Sequence, residues 1–276
     1  MTVLVAAGLL ALVLPVLAAL RCWRDRRAAR LVGQHLRELP ATLVQNYDEA
    51  LVAGLPDLAR RYFAQAILPG TPLQLKVELQ MQGSFALNGR ELPLIADQIS
   101  VLPAGFVWRA SIGSGLMRIS GSDGYLASGP SWTRFWLNRL VPLVHAGGSV
   151  DHARSCMARM ASEAVWNPAA LLPQNGCQWR ALAADRAEVS FPALPEIRPV
   201  EFRFGPDDRI TEILTERWSD ANPEKTFKFQ PFGGKILEWS RVQGFLIPTR
   251  VEIGNFFGTA QYQPFFKVQI TSAHFW

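Results

Sequence analysis

The sequence predicts an α+β fold in which a curved antiparallel β-sheet carries helices on one face. Many short runs of strand-forming residues follow residue 72, and turns such as Asn88-Gly89 separate them, as in an antiparallel meander. Two regions with helical spacing of apolar residues, 31–67 and 131–166, lie before and within these runs. Since 49% of the 276 residues are hydrophobic, the chain can bury a large core and form one large domain.

The N-terminal segment is long and apolar enough to predict a membrane anchor. Thr2 to Leu20 carries no charged residue, and as a helix it would extend about 28 Å, close to the thickness of the bilayer core. A cleaved signal peptide would need basic residues before the apolar run, and none are present. We therefore expect an uncleaved transmembrane helix over residues 1–20.

An arginine-rich collar follows this segment. Residues 21–30 hold five arginines and one aspartate, and so account for most of the formal charge of +5. Basic residues at a membrane end favour the cytoplasmic side, which predicts a cytoplasmic globular domain and leaves a periplasmic one as the alternative. The same side chains should attract anionic lipid headgroups. They are Arg21, Arg24, Arg26, Arg27 and Arg30. The predicted organisation is an anchor (1–20), a basic collar with a juxtamembrane helix (21–50) and a globular domain (51–276).

Residues 73–82 contain the clearest strand pattern. Apolar and polar residues alternate strictly there, which predicts a strand with one buried face. Aromatic and aliphatic residues over 131–144 are spaced as in a helix. Asp151–Trp166 has one apolar stripe, typical of an amphipathic helix, and Asn167-Pro168 should end it. We therefore expect two helices between the two sets of strands.

No catalytic motif is recognisable. The histidines lack metal-ligand spacing, the three cysteines form no CxxC pair, and no glycine-rich phosphate loop opens a helix. The segment Ser120-Gly121-Ser122-Asp123-Gly124 only imitates a nucleophile elbow, because Ser120 occupies the position of the first glycine. Outside the collar the charge is nearly balanced, so a nucleic-acid-binding face is not expected. We predict a non-enzymatic protein without a cofactor, a metal site or a nucleic-acid partner.

Arg159 and Glu163 are the strongest candidates for a functional pair. They are four residues apart on the predicted helix, at the margin of its apolar stripe, so they can pair. They form either a structural ion pair that docks the helix on the sheet or a polar anchor inside a ligand cavity. The abundant aromatic residues, Trp108 and Trp166 among them, form either a packed core or the walls of such a cavity. Arg159, Glu163, Trp166 and Trp108 are therefore the candidate ligand-binding residues.

Several motifs resemble, in their order, an uncharacterised bacterial family of membrane-anchored proteins with a domain of unknown function. The main one runs from Arg159 to Pro173, and others lie at Leu55-Pro56, Gly105–Trp108 and Gly244–Pro248. In architecture this family is similar to the LolA-type lipoprotein carriers, which hold acyl chains in an incomplete β-barrel lidded by helices. The resemblance implies that fold and an apolar ligand, and it supplies no catalytic residues.

The expected function is therefore binding of a lipid or another apolar ligand by a single-pass protein of the bacterial inner membrane. The alternative is a structural or assembly factor that holds a protein partner at the same membrane.

Overall fold

The computed structural model describes residues 2–40 and 45–276, without the side chains of residues 2–13. In this part of the chain there are three α-helices, α1 (Thr2–Glu38), α2 (Asp57–Ala66) and α3 (Val150–Ser162). The strands are β1 (Lys76–Leu87), β2 (Arg90–Val101), β3 (Gly105–Ile112), β4 (Ile119–Leu126), β5 (Trp132–Leu137), β6 (Val141–Gly147), β7 (Gln178–Ala183), β8 (Arg186–Ser190), β9 (Val200–Phe204), β10 (Ile210–Ser219), β11 (Lys228–Val242), β12 (Phe245–Asn255) and β13 (Gln263–Phe275). Short 3₁₀ helices include Glu163–Trp166 and Pro168–Leu171, directly after α3.

All described strands belong to one antiparallel sheet, whose order is β6-β5-β4-β3-β2-β1-β13-β12-β11-β10-β9-β8-β7. Each half is a meander, and the halves join where β1 pairs with β13. The edge strands β6 and β7 do not pair with each other, so the sheet remains open. The predicted curved antiparallel sheet with an incomplete barrel is thus confirmed. Because β6 and β7 lie at opposite edges, the connection through α3 must cross the inner face, which α2 and α3 cover.

The alternation that predicted a strand over residues 73–82 corresponds to β1. Val77, Leu79 and Met81 are buried on the inner face, and Asn88-Gly89 forms the following hairpin turn with positive φ at both residues. Glycines within the strands allow the sheet to curve. At Gly83, for example, a Cβ atom would lie 2.0 Å from a carbonyl oxygen of β13.

Helix α1 packs on the outer face of the sheet, so the prediction that helices cover one face was wrong. Its buried side is a stripe with helical spacing, formed by Cys22, Asp25, Ala29, Gly33 and Leu36. This stripe lies against outward-facing residues of β2, β3 and β5. The five arginines of the collar are exposed. The segment 22–39 therefore combines a packed face with a basic face.

Asp25 fixes α1 to the sheet. It is 8% exposed, and its carboxylate accepts hydrogen bonds from Trp136 Nε1 at 3.1 Å and from Arg134 Nη1 at 3.3 Å. The His145 ring lies 3.5 Å away. A buried carboxylate needs such partners, and all of them come from β5 and β6.

The helix predicted over residues 131–144 is instead the hairpin of β5 and β6. Asn138 and Arg139 have φ values of 47° and 64°, and they lie at the centre of the tight turn between the strands. In β5, Phe135 faces the inner core while Trp132 and Trp136 face α1. Since both faces of β5 are covered, apolar residues occur at consecutive positions and imitate the spacing of a helix.

The predicted transmembrane helix over residues 1–20 is not confirmed. No helix in the described part of the chain contains an apolar stretch sufficient to cross a bilayer. Residue 1 and the side chains of residues 2–13, the larger part of the predicted anchor, lie outside the described residues.

The packing of β1 gives a test of the sheet. Val77 is 2% exposed in the main core, so Val77→Asp should reduce the free energy of unfolding by about 3–5 kcal/mol because it buries an unpaired charge. Glu78 lies on the opposite face and pairs with Arg37 of α1 at a half-exposed site. Glu78→Gln should therefore cost under about 1 kcal/mol. Urea unfolding of both variants checks this, and equal losses would contradict the assigned faces.

Candidate functional site

A largely apolar cavity of about 580 Å³ lies between the inner face of the sheet and α3 with its 3₁₀ extension. This volume is within the range of small-molecule binding sites. Strands β3, β4, β6, β10 and β12 contribute aliphatic side chains to its wall. The aromatic part of the wall consists of Phe85, Trp108, Phe135, Trp166, Phe232, Phe265 and Phe266. These aromatic residues thus line a cavity, while others, such as Trp179 and Phe202, pack against each other in the core.

Trp108 is the centre of this aromatic wall. Its ring centroid lies 6.0 Å from that of Phe135, 6.1 Å from that of Phe266 and 6.5 Å from that of Phe85. Its indole Nε1 is buried and has no hydrogen-bond partner among the described residues. The indole therefore presents a large apolar surface together with one unused donor.

All four candidate residues inferred from the sequence line this one cavity: Trp108, Arg159, Glu163 and Trp166. Trp108 lies on β3, and the other three lie on α3 and the first 3₁₀ helix after it. The apolar stripe of α3 continues into this 3₁₀ helix, so Trp166 turns toward the sheet. Its indole N–H donates to the carbonyl oxygen of Pro248 on β12, at 3.1 Å. The ion pair predicted between Arg159 and Glu163 is present.

The guanidinium of Arg159 is the hub of a buried polar network. Its Nε donates to Glu163 Oε1 at 2.7 Å, its Nη1 forms a short contact with Asp123 of β4, and its Nη2 donates to Gln98 Oε1 of β2 at 3.2 Å. Gln98 completes a ring by donating to Glu163 Oε2 at 2.7 Å. The guanidinium carbon also lies 5.1 Å from the ring centroid of Trp108. Each of the three guanidinium nitrogens of Arg159 therefore has a partner.

The network contains two carboxylates and one cation. Burial by itself would lower the pKa of Arg159, but the carboxylates of Glu163 and Asp123 outweigh that effect and raise the pKa above its ordinary value. Sequence reasoning identified Glu163 through helical spacing and missed Asp123 and Gln98, which belong to other elements. The network is thus a structural ion pair, as one of the two alternatives predicted, and it also forms part of the cavity wall.

Arg217 of β10 is the other cation of the cavity wall, and sequence reasoning missed it. Its Nε donates to the carbonyl and hydroxyl oxygens of Ser155 on α3, at 3.3 and 3.2 Å. Alternation along β10 places it on the face of Ile213, which is buried in the main core. An arginine on the apolar side of a strand was the signal that could have revealed it.

Asp123, His152 and Cys156 bring one possible metal-ligand atom each to within 4.8 Å of one another. The set of oxygen, nitrogen and sulfur donors suits zinc. However, Asp123 already binds Arg159 and Thr133, and both ring nitrogens of His152 contact hydroxyl groups. Burial lowers the pKa of His152 and raises the pKa of Cys156, which favours a neutral imidazole and a protonated thiol. A metal ion would have to replace these hydrogen bonds.

The Arg159 network predicts a large stability effect. Arg159→Met leaves Asp123 and Glu163 buried without their cation, and should reduce the free energy of unfolding by about 3–5 kcal/mol. Combining Arg159→Met with Asp123→Asn and Glu163→Gln should recover at least half of the loss, since no unpaired charge remains. Urea unfolding of the single and triple variants measures this.

Arg180→Met is the matched control, because Arg180 pairs with Glu188 while its own side chain is 68% exposed. It should cost under about 1 kcal/mol. An equally small cost for Arg159→Met would show that solvent screens the network.

Comparison with known proteins gives similar solved structures and a matching family. Two solved structures resemble the chain at low sequence identity. A LolA superfamily protein from Nitrosomonas europaea is 9% identical with a TM-score of 0.36, over 82% of this chain and 90% of that one. A DUF1329 family protein from Desulfovibrio piger is 8% identical with a TM-score of 0.40, over 79% and 90%. No curated protein matches in sequence.

The membership of an uncharacterised family that the motifs predicted is confirmed over most of the globular domain. The family of unknown function DUF6544 matches residues 45–268, which include the cavity and its polar network. The chain therefore belongs to the family DUF6544.

Proposed function

We propose that this protein is a non-enzymatic carrier or receptor that binds a lipid or another apolar ligand in the cavity beneath α3. The observation that carries the proposal is the apolar cavity of about 580 Å³, with its aromatic wall and a few polar groups at one side. Binding sites for small apolar molecules combine these features. The hydrophobic effect would supply most of the affinity, since a ligand would cover surface now in contact with water.

The cavity has an opening through which a ligand can enter. Leu87 and Asn88, at the β1–β2 turn, and Leu143 and Val144, on the edge strand β6, line the cavity and are also exposed. These four residues define the mouth of the cavity. An apolar mouth at a sheet edge suits the entry of a chain-like molecule better than that of a polar metabolite.

We further propose that the protein acts at a membrane, through the predicted N-terminal anchor and an anionic-lipid surface. Arg26 and Arg30 of α1 share an outer-face groove with Arg118 and Arg139, and none of the four forms an ion pair among the described residues. Exposed apolar side chains occupy the adjoining turns. They are Leu116, Met117, Leu140 and Val141. Unpaired arginines beside exposed apolar groups suit an anionic bilayer surface.

A second candidate function is an assembly factor that holds a protein partner. The observation in its favour is that all seven residues of the edge strand β6 are exposed, and an open edge can accept a strand from another chain. Mass spectrometry of the purified protein separates the two proposals. Co-purified lipid favours ligand binding, whereas a stoichiometric protein partner favours the assembly factor.

Ligand binding predicts that the protein enhances the fluorescence of the neutral apolar probe phenylnaphthylamine in a saturable manner. Val144→Trp should weaken probe binding about five-fold or more, because the indole would narrow the mouth at a position that is 42% exposed and tolerant of a larger side chain. Leu237→Trp, at an exposed position of β11 outside the cavity, is the control and should leave binding unchanged. Absence of probe binding by the folded wild-type protein would refute the proposed function.

The anchor prediction is tested by deleting residues 1–20 only, since residues from Cys22 onward pack on the sheet. The shortened protein should move from the membrane fraction to the soluble fraction after a high-salt wash, because the apolar run is lost. Its persistence in the membrane pellet would contradict a single N-terminal anchor. Activity of a periplasm-only reporter fused to the C-terminus would contradict the cytoplasmic assignment.

A further inference from the structure

We propose that the ligand of this cavity is a single-chain amphiphile with one carboxylate, such as a long-chain fatty acid, and that Arg217 binds the carboxylate. The inference rests on the proposed function and specifies the chemical class of the ligand. It starts from the two arginines of the cavity wall, which differ in how fully the protein satisfies them.

Arg159 is largely satisfied by the protein itself. Each of its three guanidinium nitrogens already donates to Glu163, Asp123 or Gln98, and aromatic rings lie against the guanidinium. A ligand carboxylate at Arg159 would have to displace one of these partners and would face the remaining negative charge. The cation named first from the sequence is therefore committed to holding α3.

Arg217 is different because the two terminal nitrogens of its guanidinium have no partner among the described residues. Only Nε is engaged, by Ser155, and Nη1 and Nη2 form no hydrogen bond with any described residue. The guanidinium carbon lies 4.8 Å from the ring centroid of Phe232, which orients the group against the cavity wall. No carboxylate of the described chain forms an ion pair with it, so two adjacent donors face the cavity unopposed.

The pKa of Arg217 agrees with this geometry. Burial lowers it below its ordinary value and the charge of Arg159 acts in the same direction, while Asp123 and Glu163 act in the opposite direction without restoring it. A carboxylate bound to both free nitrogens would form a bidentate pair, the strongest arrangement that this fork accepts.

The negative charges of the Arg159 network favour a ligand whose headgroup carries a single negative charge. Asp123 and Glu163 together exceed the single positive charge of Arg159 and belong to the same cavity wall as Arg217. A doubly charged phosphate monoester would be repelled more strongly than a carboxylate. The rest of the cavity wall is aromatic and aliphatic, which suits one hydrocarbon chain that extends from Arg217 toward the mouth of the cavity.

The test compares dodecanoate, dodecanol and dodecyl phosphate as competitors of phenylnaphthylamine in the full-length protein. These compounds share the same chain, so they differ only in the headgroup. Dodecanoate should bind about ten-fold more tightly than dodecanol, and dodecyl phosphate should bind more weakly than dodecanoate. Equal binding of the acid and the alcohol would overturn the inference while leaving the proposed function intact. Failure of every compound and of the probe to bind would refute both.

Variants of Arg217 assign the preference to its guanidinium. Arg217→Met should weaken dodecanoate binding about ten-fold and change dodecanol binding by less than about two-fold. Arg217→Lys should retain part of the preference because it keeps the charge and loses the fork. The control Arg180→Met should change neither affinity. If Arg217 serves only to balance the buried carboxylates, Arg217→Met will lower the melting temperature without altering the ratio of the two affinities, and that result overturns the inference.

Discussion

A guanidinium removed from water must have its charge and its donors satisfied inside the protein, and the position of α3 depends on how this is achieved for Arg159. Its partners come from β2, from β4 and from the end of α3 itself. On the other side, Asp151 and Ser155 of α3 bind the side chains of Trp218 and Arg217 on β10. The helix is thus held to both halves of the sheet, and the cavity is the space that remains beneath it.

Buried charges of opposite sign hold helices on the two faces of the same half-sheet. Arg159 attaches α3 to the inner face, while Asp25 attaches α1 to the outer face through β5 and β6. Strands that are covered on both faces bury more apolar side-chain surface than strands with one face in water. This burial stabilises the cavity wall that they form. The same arrangement places the arginines of α1 on the surface opposite the cavity.

The sequence predicted the structure best where the apolar residues of a segment followed a single period, that of a strand or that of a helix. The alternation from Leu73 to Met81 identified β1, and the stripe of α3 identified Arg159 with Glu163. The prediction of secondary structure failed where both faces of a strand are covered. In β5, alternate residues face α1 and the cavity, so apolar residues occur on both faces and the alternation is lost. Sequence reasoning also missed Asp123, Gln98 and Arg217, because contacts between distant strands follow from the sheet order. That order depends on the pairing of β1 with β13, which no local pattern of the sequence encodes.

The open edges of the sheet have a mechanical consequence. In a closed barrel, the number of strands and their stagger fix the radius. Here β6 and β7 are joined only through the chain that includes α3, so the sheet can flatten or curl without breaking a hydrogen bond between strands. The volume of the cavity can therefore increase around a bulkier ligand and decrease when the cavity is empty. An open sheet thus gives a cavity of adjustable volume, whereas a closed barrel would give one of fixed volume.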